Sequence, residues 1–312
     1  MWRQAFRTEL NWSMFAVTLI LGMIYVKDQS PLPKSPITQV VFLGTGTPNP
    51  DPKHQGPSLA IIVNGQPYIV DCGPGLVRQA TAARERGATG LTMEHLTRAF
   101  ITHLHTDHTI GLPDLIFTPA VTGRLEGLEL YGPPGLRNMT NHIIEAYRED
   151  RDIRFHGGEP AIPAAYKVTV HEIKEGWIYK DANIRVKAFH VHHGKWKTAF
   201  GFRFETPDRV IVLSGDTTFC QEVIDNAKDC DILIHEAYSA EGLKKRTDDW
   251  QAYHSTYHTS GPDVGRIASA VNPKLLILYH ELPFGQPAGE ILSEVHSTYT
   301  GAAVEAADLD SY

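Results

Sequence analysis

The chain has 312 residues, 42% hydrophobic and 21% charged, which is the balance of a globular protein with a sizeable core rather than a disordered one. Twenty-nine Lys and Arg against 36 Asp and Glu give a formal charge of -7, which argues against a surface built for nucleic acid. Three cysteines, none in CxxC spacing, make no disulfide framework and suggest no thiolate metal site; an oxidised Cys220–Cys230 pair is the less favoured reading.

Arg3 and Arg7 precede an uncharged, mostly apolar run over 12–26, the pattern of a signal-peptide core and short for a membrane-spanning helix. No A-x-A cleavage site follows, so a removed leader and an uncleaved anchor both stand, and an exported protein, periplasmic or held at the membrane, is expected. Pro31, Pro33 and Pro36 make a stiff linker, so that 1–33 is leader or anchor with linker and 34–312 a single folded domain. Strands are predicted over 39–43, 59–63, 68–71, 99–102, 129–131, 168–171, 184–191, 200–205, 210–214, 232–235 and 275–279. Helices are predicted over 76–86, after Asp107, and over 136–149, 221–227, 262–270 and 290–298. The polar segment 239–257, with Lys244, Lys245, Arg246 and Trp250, reads as a substrate-facing loop. Strands with interspersed helices imply a layered α/β body.

The densest chemistry lies in Thr102-His103-Leu104-His105-Thr106-Asp107-His108. Three imidazoles and a carboxylate in seven residues are what zinc and its neighbours bind, and an ordinary strand end needs none of them. His103 and His105 are two apart, so an extended backbone points both rings the same way, and Asp107 and His108 follow at a turn that can aim them at a second ion. Four more apolar strands run into loops carrying such groups: Asp216 after 210–214, His280 after 275–279, His235 and Glu236 after 231–234, and His192 and His193 after 184–191. Buried strands hold loop residues rigidly, which is how ligands distant in sequence meet.

The run His103–His108, the Ser214-Gly215-Asp216-Thr217 loop, the late His280 and the opening Leu43-Gly44-Thr45-Gly46-Thr47-Pro48 and Val70-Asp71-Cys72-Gly73 segments resemble the metallo-β-lactamase superfamily. His193-Gly194 before Gly201-Phe202-Arg203, then His235-Glu236-Ala237-Tyr238 and Tyr257-His258-Thr259-Ser260, is similar to its ribonuclease Z-like branch, which includes arylsulfatase-type members. The resemblance implies a four-layer αββα sandwich with two divalent ions at one edge, zinc first, manganese or iron as alternatives. It assigns His103, His105 and His193 to one ion, Asp107, His108 and His280 to the other, and Asp216 to a bridge between them. Asp71 falls at a buried position that orients a ligand histidine. His192 is the rival to His193. Asp107 is also the expected base, His258 the proton donor to the leaving group, with His235 and Glu236 as its support. Trp196 is either substrate-facing or simple loop packing.

Members of the branch that process transfer RNA carry a long basic arm, and here only 204–209 separates Arg203 from the strand leading to Asp216. With the acidic charge and the expected export, this favours a small-molecule ester, a phosphodiester or aryl sulfate, and no nucleic-acid partner, and leaves a homodimer open. Ribonuclease Z activity on transfer RNA and a lactonase or β-lactamase-like ring opening are the alternatives.

Overall fold

Continuous apolar runs become strands buried on both faces, and their alternation decides which core each side chain enters. In the computed structural model, which describes residues 37–312, a six-stranded sheet contains β1 (Thr38–Gly44), β2 (Ser58–Val63), β3 (Gln66–Val70), β4 (Arg98–Phe100), β5 (Leu128–Gly132) and β6 (Val168–Glu172), side by side in that order. A seven-stranded sheet contains β7 (Gly176–Lys180), β8 (Arg185–His190), β9 (Phe200–Glu205), β10 (Val210–Leu213), β11 (Ile232–Tyr238), β12 (Leu275–Leu282) and β13 (Ala303–Glu305), again in sequence order. Val40, Phe42, Leu59, Ile61 and Phe100 point inward against Phe202, Phe204, Ile211, Leu213 and Ile234 of the second sheet. Their chain neighbours Val41, Leu43, Ala60, Ile62 and Ile101 point outward.

Helices cover both outer faces. The first sheet carries α1 (Leu76–Glu85), the short α2 (Thr106–Thr109), α3 (Leu112–Thr122), α4 (Leu136–Ala146) and α5 (Arg148–His156) in its connections. Leu76, Val77, Ala80, Leu112, Leu115, Ile116 and Leu136 pack on its outer side. Among the connections of the second sheet are α6 (Gln221–Asn226), α7 (Ala240–Leu243), α8 (Asp248–Tyr257), α9 (Gly261–Val271) and α10 (Glu290–His296). Val223, Val264, Ile267, Ile291 and Val295 cover it. This is the expected αββα order.

Parallel pairing sets the direction of the chain at the functional end. In the first sheet β3, β4, β5 and β6 are mutually parallel, and in the second β10, β11, β12 and β13 are. The loops after β4 and β10 carry the histidine run and Asp216, and His280 lies toward the carboxyl end of β12, so ligands distant in sequence gather at the carboxyl ends of the strands, where open α/β sheets place their sites.

Several elements differ from the expectation. The segment 239–257 is helical, as α7 and α8 with a short turn between them. Asp248 and Asp249 occupy the first turn of α8, where carboxylates favour the helix dipole, and the aromatic pairs Trp250–His254 and Tyr253–Tyr257 stack at four-residue spacing. The predicted helix 136–149 breaks at Tyr147 into α4 and α5. Two strands were not anticipated: β7, half-exposed at a sheet edge, and β13, only three residues long. The apolar run 12–26 lies outside the described residues, and no helix among those described is long and apolar enough to cross a membrane. The three cysteines are free and buried.

One buried cation braces the segment that leads into β4. Arg124 is fully buried and donates to four backbone carbonyls, those of Leu96, Leu115, Ile116 and Ala165. Burial pulls its pKa down to about 10, so it stays charged at neutral pH. Arg124→Met leaves those acceptors without a donor, at about 1–3 kcal/mol for each buried group left unpaired. Urea unfolding should show a loss of about 3 kcal/mol or more; a loss under about 1 kcal/mol would remove the bracing role.

Candidate metal centre

The ring nitrogens and carboxylates converge because each bears on a fixed backbone. Asp71 ends β3 with a positive φ of 57°, which a residue with a side chain adopts rarely. Fully buried there, it accepts hydrogen bonds from the Thr102 amide (2.8 Å) and the Thr102 hydroxyl (2.9 Å). It also accepts from His108 Nδ1 (2.8 Å). One carboxylate thus fixes both the start of the histidine run and the ring of its last member, as expected for Asp71.

Bulges and glycines set the other ligands. Glu236 on β11 pairs with Tyr279, whereas Ala237 pairs with Glu281, so His280 is the extra residue of a bulge, at φ 50°. Its amide donates to Thr45 O (3.1 Å) and its Nδ1 to Gly46 O (2.7 Å), which turns Nε2 into the site. Gly215 has φ 62°, and a Cβ there would lie 2.6 Å from Phe200 O, so only glycine allows the turn that delivers Asp216. His193 Nδ1 donates to Tyr257 O (2.7 Å) at the end of α8.

Two sets of ligand atoms result. His103, His105, His193 and Asp216 form one, and Asp107, His108 and His280 the other, each with its atoms within 4.8 Å of one another. His103 Nε2 lies 2.9 Å from His105 Nδ1, which lies 3.1 Å from His193 Nε2. Asp216 Oδ2 stands between the sets, 3.8 Å from His103, 3.9 Å from His193, 3.5 Å from His108 and 3.2 Å from His280. Asp107 Oδ2 lies 3.5 Å from His108 Nε2 and 3.6 Å from His280 Nε2.

The donor set suits cations. His108 Nε2 and Asp216 Oδ1 are buried with no hydrogen-bond partner, which is costly for isolated polar groups. Burial holds the His103 pKa well below its ordinary value and pushes His193 down to about 4, so both rings are neutral and offer lone pairs. His103 Nε2 and His193 Nε2 both turn toward His105 Nδ1, a convergence of ring nitrogens that suits a shared cation. Burial pushes the Asp216 carboxyl up, but His280 and His108 outweigh it, holding Asp216 well below the usual range.

The remaining expected residues separate. His258, almost fully buried, places Nδ1 3.3 Å from Glu236 Oε2 and 4.0 Å from Asp216 Oδ2. Burial lowers its pKa, and the Glu236 carboxylate reverses this with a net rise. Glu236, itself fully buried, also accepts from the Thr259 amide (2.8 Å). His235 is buried outside both sets: its Nδ1 donates to Glu236 O (2.7 Å), and strand alternation aims it away from the Glu236 side chain. His192 is exposed beside Glu222, so His193 is the histidine that reaches the cluster. Trp196 donates from Nε1 to His105 Nε2 (2.8 Å), a contact that its place in a loop did not foretell.

Residues 67–280 match the model of the beta-lactamase superfamily domain. The ribonuclease Z of Mycobacterium sp. (strain KMS) is 30% identical over 254 residues, spanning 81% of this chain and 87% of that protein. The chain belongs to the beta-lactamase superfamily, on its ribonuclease Z-like branch. The ribonuclease Z of Mycolicibacterium gilvum (strain PYR-GCK) is 28% identical over 256 residues, 81% of this chain and 87% of that protein. Among solved structures, the metallo-beta-lactamase fold protein YhfI from Bacillus subtilis superposes with a TM-score of 0.66 at 17% identity, covering 89% of this chain and all of that one. The short form of human tRNase Z does so with 0.64 at 24%, covering 88% and 98%. Superfamily members are metal-dependent hydrolases, and the fold binds divalent metals, usually zinc. The expectation that no nucleic acid is a partner is corrected here: the relatives that share four-fifths of this chain carry the name of a ribonuclease. Net charge misled because it averages over a whole surface, whereas a nuclease needs cations only where phosphates lie.

Asp71→Asn keeps the size of the side chain but turns an amide donor or a single oxygen toward three donors. His108 then loses the acceptor that keeps its proton on Nδ1. Affinity for the second of two zinc ions should fall about 10–100-fold in chelator competition; an unchanged second affinity would show that Asp71 serves the fold alone.

Proposed function

We propose that the chain is a dinuclear metal-dependent phosphodiesterase of ribonuclease Z type, cutting the 3′ extension from precursor transfer RNA, with zinc as the first-choice metal. The observation that carries this reading is a pair of clefts that meet at Asp107. One, of about 610 Å³, is lined by His105, Asp216, His258 and His280 together with the aromatic residues of α8. The other, of about 410 Å³, runs past Asn49, Asp51, His54 and Thr106. Pro48, Asn49 and Asp107 line both. A small ester needs one pocket, whereas a polymer crossing the centre needs an exit on each side. The ribonuclease Z relatives support the same substrate class.

His103, His105, His193 and Asp216 would hold one ion, and Asp107, His108, His280 and Asp216 the other. Two divalent ions so held supply Lewis acidity and a water acidic enough to attack phosphorus near neutral pH. Asp107, at the junction of the clefts, is placed to accept that water's proton. His258 carries the proton for the leaving sugar oxygen, and Glu236 holds the ring on its Nδ1 side, leaving Nε2 free for the transfer. His235 supports this strand from its far side without touching substrate. The turn 206–209 between β9 and β10 leaves no basic arm, so phosphate contacts fall to other cations: Arg246, which lines the larger cleft, with the exposed Lys195 and Lys197 after His193 and Lys245 before α8 as further candidates.

Purified 34–312 protein with zinc should release the 3′ extension from a precursor transfer RNA and lose that activity in Asp216→Ala. Cleavage of bis(p-nitrophenyl) phosphate with no cut in the RNA would overturn the substrate. His258→Ala should lower kcat on RNA by about 10²–10⁴-fold, and far less on the nitrophenyl ester, whose leaving group needs no proton. Equal losses on both substrates would remove His258 from that role.

A further inference from the structure

The larger cleft has a wall that the hydrolytic chemistry does not use. Along α8 the rings of Trp250, His254 and His258 follow at four-residue spacing. Trp250 and His254 are stacked, with centroids 5.4 Å apart and planes 21° from parallel, and His254 lies 5.7 Å from His258. Phe284, from the loop after β12, meets His254 at 4.6 Å. Arg246 lines the same cleft, with its guanidinium carbon 5.8 Å from the Phe284 ring. Trp250 is 49% exposed. Leaving this much indole facing solvent forgoes apolar contacts that a stacked ligand would supply.

We propose that this wall is a nucleobase subsite, taking the base of the nucleotide whose sugar oxygen is released in the cut. The inference rests on the ribonuclease reading above and adds which nucleotide is held and by what. Direction comes from His258. It delivers the proton to the leaving oxygen, so the sugar bearing that oxygen lies on its side of the centre, and Trp250 and His254 continue that side outward. Chemistry comes from the neighbouring groups. The His258 end meets the centre that receives the scissile phosphate, and Arg246 lines the same cleft beside Phe284, so the occupant is a flat ring system that carries anions next to it. A nucleotide within an RNA chain has that pattern. Aromatic faces stack on any base, so the subsite holds a position without reading its identity, and stacking replaces some of the grip that a basic arm would give.

The experiment uses a precursor RNA that is intact, abasic at the released-oxygen nucleotide, or abasic at the nucleotide across the cut. Wild type, Trp250→Ala and Trp250→Phe are compared, with metal content and melting temperature as checks on folding. Trp250→Ala should raise KM on intact RNA about 10-fold or more, and Trp250→Phe should recover most of it. On RNA abasic at the released-oxygen nucleotide, wild type should fall to the level of Trp250→Ala, and the two should no longer differ. On RNA abasic across the cut, the difference should persist. An undiminished difference on the first abasic RNA, or no effect of Trp250→Ala on intact RNA, would overturn the subsite while leaving the ribonuclease reading standing. Wild type that cuts none of the three RNAs would overturn that reading, and the subsite with it.

Discussion

Asp216 Oδ2 lies within 4.0 Å of ring nitrogens from five histidines, and the remaining features of the centre can be understood as ways of keeping them there. A buried carboxylate amid imidazoles is stable only if each ring turns a chosen nitrogen inward. Three rings are turned by oxygen acceptors outside the cluster: Asp71 for His108, Tyr257 O for His193 and Gly46 O for His280. Those acceptors come from the residue after β3, from the end of α8 and from the loop after β1, so both sheets must be correctly placed before the centre exists. The inner aromatic core, with Phe100 set against Phe202 and Phe204, locks the sheets together. Asp71 and His280 both hold positive φ without being glycine, as expected where surrounding structure holds a functional residue in a costly conformation.

Much of this was legible in the chain. The histidine run, Asp216 and His280 could be read because each follows a short apolar strand, and such strands leave little freedom in where the next residues go. His193 was preferred over His192 from the spacing of His193-Gly194 to Gly201-Phe202-Arg203 in the resemblance; the structure adds why glycine follows it, with a φ of 55° and no room for a Cβ beside the Tyr257 ring. The layered sandwich followed from the same strands.

Other parts carried no readable signal. Backbone carbonyls that orient His193 and His280 have no residue identity, so no pattern could announce them. The bulge at His280 depends on the register between β11 and β12, which is a property of two strands and not of one. Helix α8 buries none of its side chains fully, so the apolar period that reveals a helix is missing, and the segment was read as a substrate-facing loop. Trp250 was named in it, but the stacking with His254 needs the helix and so could not be read. Whole-chain charge argued against nucleic acid, which the ribonuclease Z relatives contradict, because net charge averages over a surface and says nothing of local cations.

The converging ring nitrogens and Asp216 form a set of donors suited to two ions. Native mass spectrometry of the zinc-loaded 34–312 protein, read alongside Asp216→Ala, tests it most directly. Two zinc ions per chain in wild type and at most one in the variant are predicted. A wild type that holds one or none, or a variant that still holds two, would contradict it.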